Sequence, residues 1–437
     1  MPSYREVLEG RHVGVWGFGR EGRAVAAAAV AAGASAVTVV DAKAGPDTSL
    51  DETVCLLVGD EYLDRLTTCD IVFVSPGIPW LHPVLRSLRS SQVAVTSATD
   101  LFLSSEWSRT IGITGTKGKS TTATFLAHVL TRLGSQADLA GNIGVPLLDV
   151  PDSDRFVVAE VSSQQCAVIN RSPRVAVVTN LGEDHLDWHG DVHEYHRAKA
   201  RLFDAGAAVL VCESAALDTL RRIDGPPLAF PEVIVTEEAV VDRWPTSESI
   251  SPYSPFQHRH NRRNGQLAVL AAESVLGRRL STDEIRDAIE TFAALPHRLE
   301  RVREAGGRVW IDDTLATTAD SVVAALSAMP DDAEVALIVG GLDRGISYEL
   351  LDEYLLSEAR KVELIQIPSN GAKIGEKFAA QFPSRVHPVS DLEAAVQFAA
   401  QADVDVVLLS PGAPSYDAYA NYEQKSAEYV AAIDSLR

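Results

Sequence analysis

The segment Ile111-Gly-Ile-Thr-Gly-Thr-Lys-Gly-Lys-Ser-Thr-Thr122 constrains this chain more than any other stretch. An apolar run over 110–114 enters it, and a helical pattern from Ser120 to about Leu133 leaves it. Strand, glycine turn and helix in that order imply a parallel sheet, because the chain must cross back over the sheet before it pairs again. Glycines let the backbone curl so that N–H groups face phosphate oxygens, and the helix N-terminus adds the positive end of its dipole. Lys119 is placed to reach terminal phosphates, and the Ser120 or Thr121 hydroxyl to meet Mg²⁺. An ordinary strand–helix turn has no need of Lys117 and Lys119 beside Thr116, Ser120 and Thr121. The general phosphate-loop pattern puts a glycine where this chain has Ile113, so the loop is the variant Gly-Thr-x-Gly-Lys-Ser/Thr.

The same alternation runs through the whole chain. A strand over 12–18 enters Gly17-Phe-Gly-Arg-Glu-Gly22, an Ala-rich helix follows over 23–32, and a second strand over 37–41 ends on Asp41. Further strands are predicted at 71–74, ending in Ser75-Pro-Gly77, and at 156–159 and 175–179. The Pro- and Ser-rich stretch 225–257 reads as loops and short strands, followed by a helix over 261–276. After Leu295-Pro-His-Arg298, strands at 309–312, 335–339, 362–367 and 404–409 alternate with helices at 321–329, 391–402 and 423–435. The fold expected is α/β with three domains, each on a mainly parallel, doubly wound sheet. They are a Rossmann-like domain over 1–105, a P-loop domain over 106–297 and a second Rossmann-like domain over 298–437.

A formal charge of −21 argues against a nucleic-acid partner, since phosphate backbones need a basic surface. Any phosphate site must then be a local island of N–H groups, Lys and Arg. No run approaches the ~18 apolar residues that span a bilayer. The first residues lack a signal pattern. Cys55, Cys69, Cys166 and Cys212 lack metal-ligand spacing, as expected for reduced thiols in cytoplasm.

The variant loop, Gly115-Thr116-Lys117-Gly118-Lys119-Ser120-Thr121, resembles the ATP loop of the Mur ligases and the related folylpolyglutamate synthases. Four more stretches fall in that family's order: Gly141-Asn142-Ile-Gly144, Glu160-Val-Ser162-Ser-Gln-Gln165, Thr179-Asn-Leu-Gly-Glu-Asp-His185, and His260-Asn261-x-x-Asn264. The resemblance spans nearly the whole chain. It implies an ATP-dependent carboxylate–amine ligase of peptidoglycan precursor synthesis that works through an acyl phosphate. In that family Glu160 and Ser120 (or Thr121) would hold one Mg²⁺, and His185 a second. Lys199, in Arg197-Ala-Lys-Ala200, matches a lysine carbamylated by CO₂ that helps to hold the second ion; its spacing alone says only a solvated helix lysine. Asn261 and Asn264 would read adenine, while Arg298 and Asp313 would contact ATP.

The N-terminal GxGxxG taken alone reads as a dinucleotide site. The resemblance assigns it instead to a UDP moiety, with Gly17, Phe18, Arg20, Glu21, Asp41, Ala42, Lys43, Ser75 and Gly77 around it. Asn142, Ser162 and Gln165 would contact the rest of that substrate. A motor ATPase should carry a normal Walker loop, a dehydrogenase leaves the ATP loop idle, and a folylpolyglutamate synthase lacks the first domain.

Asp313-Thr-Leu315-Ala-Thr317-Thr318, Gly341-Leu-Asp-Arg344-Gly345, Ser415-Tyr416 and Tyr422 resemble the incoming-amino-acid site of the glutamate-adding members. Ligases that add D-glutamate usually carry lysine at the position of Leu315, lysine at that of Arg344 and phenylalanine at that of Tyr422. These departures resemble a subgroup that adds L-glutamate, whose product a separate epimerase then inverts; addition of D-glutamate is the alternative. A monomer is expected, with ATP, two Mg²⁺ ions, the UDP-sugar peptide and glutamate as its small-molecule partners.

Overall fold

The structure is a computed structural model that describes residues 4–43, 51–80, 82–236, 240–251, 254–257, 259–293, 296–330, 332–357, 361–416 and 418–436. Leu295 of the Leu-Pro-His-Arg stretch lies outside the described residues.

Three sheets form. The first joins β1 (His12–Trp16), β2 (Ala36–Asp41), β3 (Val54–Val58), β4 (Ile71–Val74) and β5 (Ala94–Thr96) in the order β3-β2-β1-β4-β5, every pair parallel. The second joins β6 (Thr110–Thr114), β7 (Ala137–Gly141), β8 (Phe156–Glu160), β9 (Val175–Val178), β10 (Val209–Cys212) and β11 (Glu232–Val235) in the order β11-β10-β9-β6-β8-β7, again all parallel. The third joins β12 (Glu300–Ala305), β13 (Arg308–Asp312), β14 (Val335–Val339), β15 (Val362–Gln366), β16 (Val386–Pro388) and β17 (Val406–Leu409) in the order β12-β13-β17-β14-β15-β16. There β12 runs antiparallel to β13 and the other pairs are parallel.

Central strands are covered on both faces, so Thr110–Thr114, Val175–Val178 and Val335–Val339 are buried throughout and read as unbroken apolar runs. The first two sheets and the helix Arg259–Leu276 belong to one compact unit, Met1–Pro245 with Arg259–Ile289. The third sheet belongs to another, Thr246–His258 with Glu290–Arg437. Among the described residues no helix is long and apolar enough to cross a membrane.

In each parallel sheet the strand order reverses beside a central strand, and the loops at the strands' carboxyl ends are where open α/β sheets bind ligands. Those loops carry nearly every candidate residue.

Candidate active site

β6 delivers the chain to Gly115, whose φ of 148° no L side chain adopts comfortably. A Cβ there would collide with Thr179, and one at Gly118 (φ 83°) with the Asn264 amide. The helix Lys119–Arg132 starts directly afterwards. The segment after β9 ties the loop down. Thr116 N–H donates to Asn180 O (2.9 Å), Lys117 N–H to Asn180 Oδ1 (3.0 Å) and Thr179 Oγ1 to Lys117 O (2.6 Å). Gly182 N–H and Tyr195 OH both reach Thr116 Oγ1. Ser120 and Thr121 sit half-buried at the helix start. Asn264 donates to Asn261 Oδ1 (3.3 Å), so both asparagines stand beside the loop. Thr179, Asn180 and Tyr195 were not singled out for this work by sequence reasoning, although Thr179-Asn180 stood in a motif already noted for its histidine.

Two lysines converge on one carbonyl. Lys119 Nζ donates to Gly115 O (3.0 Å) and Thr116 O (3.1 Å), and Lys199 Nζ donates to Gly115 O at 2.8 Å. Lys199 is 1% exposed and lies 4.6 Å from the centre of the Tyr195 ring, so the solvated-helix alternative fails. Burial is the main cause that pushes its amine down to about 7; nearby Lys119 acts in the same direction, while Cys166, Asp184 and Glu160 oppose it. Burial also lowers Lys119, against the pull of Glu160 and Asp184.

Glu160 ends β8 at 1% exposure. Its Oε1 accepts Asn142 Nδ2 (2.9 Å), and Oε2 is buried with no donor among the described residues. A buried carboxylate oxygen without a donor is costly unless a cation meets it, so the residue fits a Mg²⁺ ligand. His185 is half exposed, in the left-handed region at φ 51°; its N–H donates to Asp184 Oδ1 (3.0 Å) and its Nε2 lies 3.9 Å from Asp184 Oδ2.

The glycine turn of the first sheet closes on itself. Asp41 accepts Phe18 N–H (2.6 Å) and Lys43 N–H (2.8 Å), and Ser75 Oγ donates to Gly17 O (2.9 Å). Ala42, Lys43 and Gly77 form an exposed rim. Arg20 and Glu21 turn away to the second sheet: Arg20 bonds the carbonyls of Gly141 and Gly144, and Glu21 Oε1 accepts Gln165 Nε2. Ser162 and Gln165 form a reciprocal capping box directly after β8.

In the second unit Asp313 is buried, accepting Ser410 Oγ (2.7 Å) and Leu299 N–H (3.2 Å). Burial pushes its carboxyl up to about 7, outweighing those two bonds and the exposed Arg298. Arg344 donates to Thr317 O (3.1 Å), and Leu315 N–H to His297 O (3.2 Å). Ser415 Oγ is buried without a partner among the described residues, while Tyr416 is 66% exposed. Tyr422 packs edge-on against the His297 ring, which in turn reaches buried Asp312 (2.8 Å). Sequence reasoning missed that His297–Asp312 pair, since nothing local marks it.

Family models match two parts of this chain: the Mur ligase middle domain over residues 113–222, and the Mur ligase glutamate ligase domain over 297–412. A protein of Micromonospora sp. named UDP-N-acetylmuramoyl-L-alanine–L-glutamate ligase is 39% identical over 98% of this chain and 97% of its own length. This chain belongs to the Mur ligase family. A Symbiobacterium thermophilum protein named UDP-N-acetylmuramoylalanine–D-glutamate ligase is 31% identical over 88% of each chain. The MurF ligase of Thermotoga maritima, solved in complex with ADP, shares the fold with a TM-score of 0.57 at 17% identity, over 98% of this chain and 96% of its own.

Proposed function

We propose that this Mur ligase joins L-glutamate to the carboxylate of UDP-N-acetylmuramoyl-L-alanine at the expense of ATP. The observation that carries the reading is the cluster at Gly115 O: two lysines on one phosphate-loop carbonyl, beside a buried glutamate with an unpaired oxygen. In this reading residues 1–105 hold the UDP moiety, 106–297 hold ATP and 298–437 hold glutamate.

A carboxylate resists attack by an amine until one oxygen becomes a leaving group. Transfer of the γ-phosphoryl group to that oxygen gives an acyl phosphate; the glutamate amine attacks its carbonyl carbon, and phosphate departs. Lys119 neutralises charge spread over the transferring group, and the tied loop holds its N–H groups in place without reorganisation. Glu160 with Ser120 or Thr121 would hold one Mg²⁺, and His185 with Lys199 the second; bound Mg²⁺ supplies charge neutralisation at phosphate oxygens. Lys199 serves as an anion once its neutral amine adds to CO₂ and loses a proton, giving a carbamate. An amine lowered to about 7 is substantially neutral at neutral pH, as that addition requires.

Glutamate meets Leu315 where a lysine is usual, and Arg344, held at Thr317 O, supplies the cation from another direction. Relocated cations suit an inverted Cα, because once the amine is fixed for attack, inversion swaps where the α-carboxylate points. The Micromonospora relative's name supports the L-enantiomer. ATP and a UDP-sugar as substrates put the reaction in the cytoplasm; the working form is a monomer, and a separate epimerase inverts the added residue afterwards. Phosphate release should require both the UDP-sugar and glutamate, and should run faster with L-glutamate. Equal or better turnover with D-glutamate overturns the stereochemical assignment.

A further inference from the structure

Arg20 and Glu21 occupy the turn that should face a diphosphate, yet both side chains are spent on the second sheet. The Arg20 guanidinium donates to the carbonyls of Gly141 and, at 3.1 Å, Gly144. Those carbonyls bracket Asn142, whose N–H donates to Glu160 O (2.9 Å) and whose Nδ2 donates to Glu160 Oε1 (2.9 Å). A Cβ at Gly141 (φ 96°) would strike the Glu160 backbone, so this loop and Glu160 lie in close backbone contact. Glu21 Oε1 accepts Gln165 Nε2 at 2.5 Å, and Gln165 Oε1 accepts Ser162 N–H at 2.7 Å. Ser162 lies two residues beyond Glu160. Two adjacent residues of the first domain thus grip the segments on either side of one carboxylate. Glu21 keeps Oε2 buried without a donor among the described residues, and its bond from Gln165 opposes the rise in its pKa that burial causes.

We infer that Arg20 and Glu21 are positioning residues: they couple seating of uridine diphosphate at Gly17 and Phe18 to the placement of Asn142 and Glu160. Binding free energy from the remote end of the substrate is thereby expressed at the reacting end, in kcat as well as in KM. The inference rests on Glu160 as a metal-holding carboxylate. Glu160→Gln tests that reading separately, since it should abolish Mg²⁺-dependent phosphate release whatever Arg20 does.

The direct readout is amide hydrogen exchange in the resting full-length enzyme, with UDP alone as the probe. In the wild type, UDP should slow exchange across 141–145 and 160–166. In Arg20→Met it should still bind, with its Kd changed less than about threefold, but protection at 141–145 should vanish. Turnover should fall about tenfold or more, and the Mg²⁺ concentration for half-maximal rate should rise several-fold. Glu21→Gln keeps the acceptor for Gln165 Nε2 and should retain coupling; Glu21→Ala and Gln165→Ala should each lose it, with no further loss when combined. Rescue by Glu21→Gln separates positioning from misfolding. A Kd for UDP weakened tenfold or more in Arg20→Met, with protection and kcat unchanged, would make Arg20 a plain ligand and overturn the inference. Additive losses in Glu21→Ala with Gln165→Ala would also overturn it.

Discussion

The phosphate loop after β6 and the loop ends of the third sheet both follow buried parallel strands, and both backbones are tied, Leu342 N–H to Pro414 O and Gly412 N–H to Ala316 O in the third sheet; they differ in the side chains at the rim. At 115–118 every turn of the loop is bonded to a neighbour: Asn180 takes both edges of Lys117, Gly182 and Tyr195 hold Thr116, and two lysines share Gly115 O. At the third sheet's loop ends, among the described residues, Arg344 makes one bond to a carbonyl, Ser415 Oγ makes none, and Tyr416 is largely exposed. Phosphoryl transfer rewards donors fixed before the reaction, because reorganising them would raise the barrier. Recognition of an amino acid depends on a few placed contacts, and rim side chains with few partners accommodate relocated ones.

The largest effect should come from the tied region. Lys119→Ala removes the charge proposed to face the transferring phosphoryl group and should lower turnover by several orders of magnitude with the fold intact. Retention of more than about a tenth of the wild-type rate, roughly 1.4 kcal/mol of barrier, would break the contrast at its strongest point. Lys199→Ala should lose most activity as well, because it removes the proposed anion. A small carboxylate such as formate should restore part of the rate; density for an unmodified ammonium at Lys199 in a catalytically active crystal would count against the carbamate.

At the rim, Arg344→Ala should weaken kcat/KM for glutamate about ten- to a hundredfold, the scale of one charge-assisted hydrogen bond. The KM for ATP should stay near the wild-type value. A loss shared equally by ATP and glutamate would show that the two regions are not separable in the way their bonding implies.

The two regions also differed in how far the sequence revealed them. The phosphate loop was legible because its chemistry forces residue types into one short run. Burial of Lys199 was not read, although Tyr195, Lys199 and Leu202 share one helix face and all are buried in the structure. Arg197 and Arg201 lie on the opposite face of that helix, and only in the linear run Arg-Ala-Lys-Ala-Arg do they make Lys199 look solvated. Among the strands, β10 is an apolar run bounded by turns, yet it was not among the strands expected from the sequence. The edge strand β12, Glu-Arg-Val-Arg-Glu-Ala, has no apolar pattern and pairs antiparallel because a partner edge is present. The contacts of Arg20 and Glu21 were beyond reach, since they depend on two sheets packing across separations of more than a hundred residues.

Two buried groups stand near 7 from opposite sides, Lys199 lowered in the first unit and Asp313 raised in the second. Their linkage to stability therefore has different windows. Between about pH 4 and 7 the folded chain keeps a proton on Asp313 that the unfolded chain releases, so this group's contribution to stability falls as pH rises through that range. The deficit is complete above the folded value of about 7. As a free amine Lys199 adds no pH dependence there, its burial penalty being complete; its window lies between about 7 and 10.5, where the unfolded chain binds the extra proton and stability rises with pH. Asp313→Asn removes the first contribution while leaving a side chain able to accept the Leu299 N–H. Measured as Tm against wild type, the variant should gain between pH 5 and pH 8, by about 2–4 °C for each kcal/mol of relief. Burial is the largest cause of the shift, and each pH unit of it corresponds to about 1.4 kcal/mol. A Tm difference that stays flat from pH 5 to pH 8 would mean that Asp313 is ionised throughout. The Ser410 and Leu299 bonds would then outweigh its burial, and the third sheet's loop ends would hold a fixed buried anion as firmly as the phosphate loop holds its lysines.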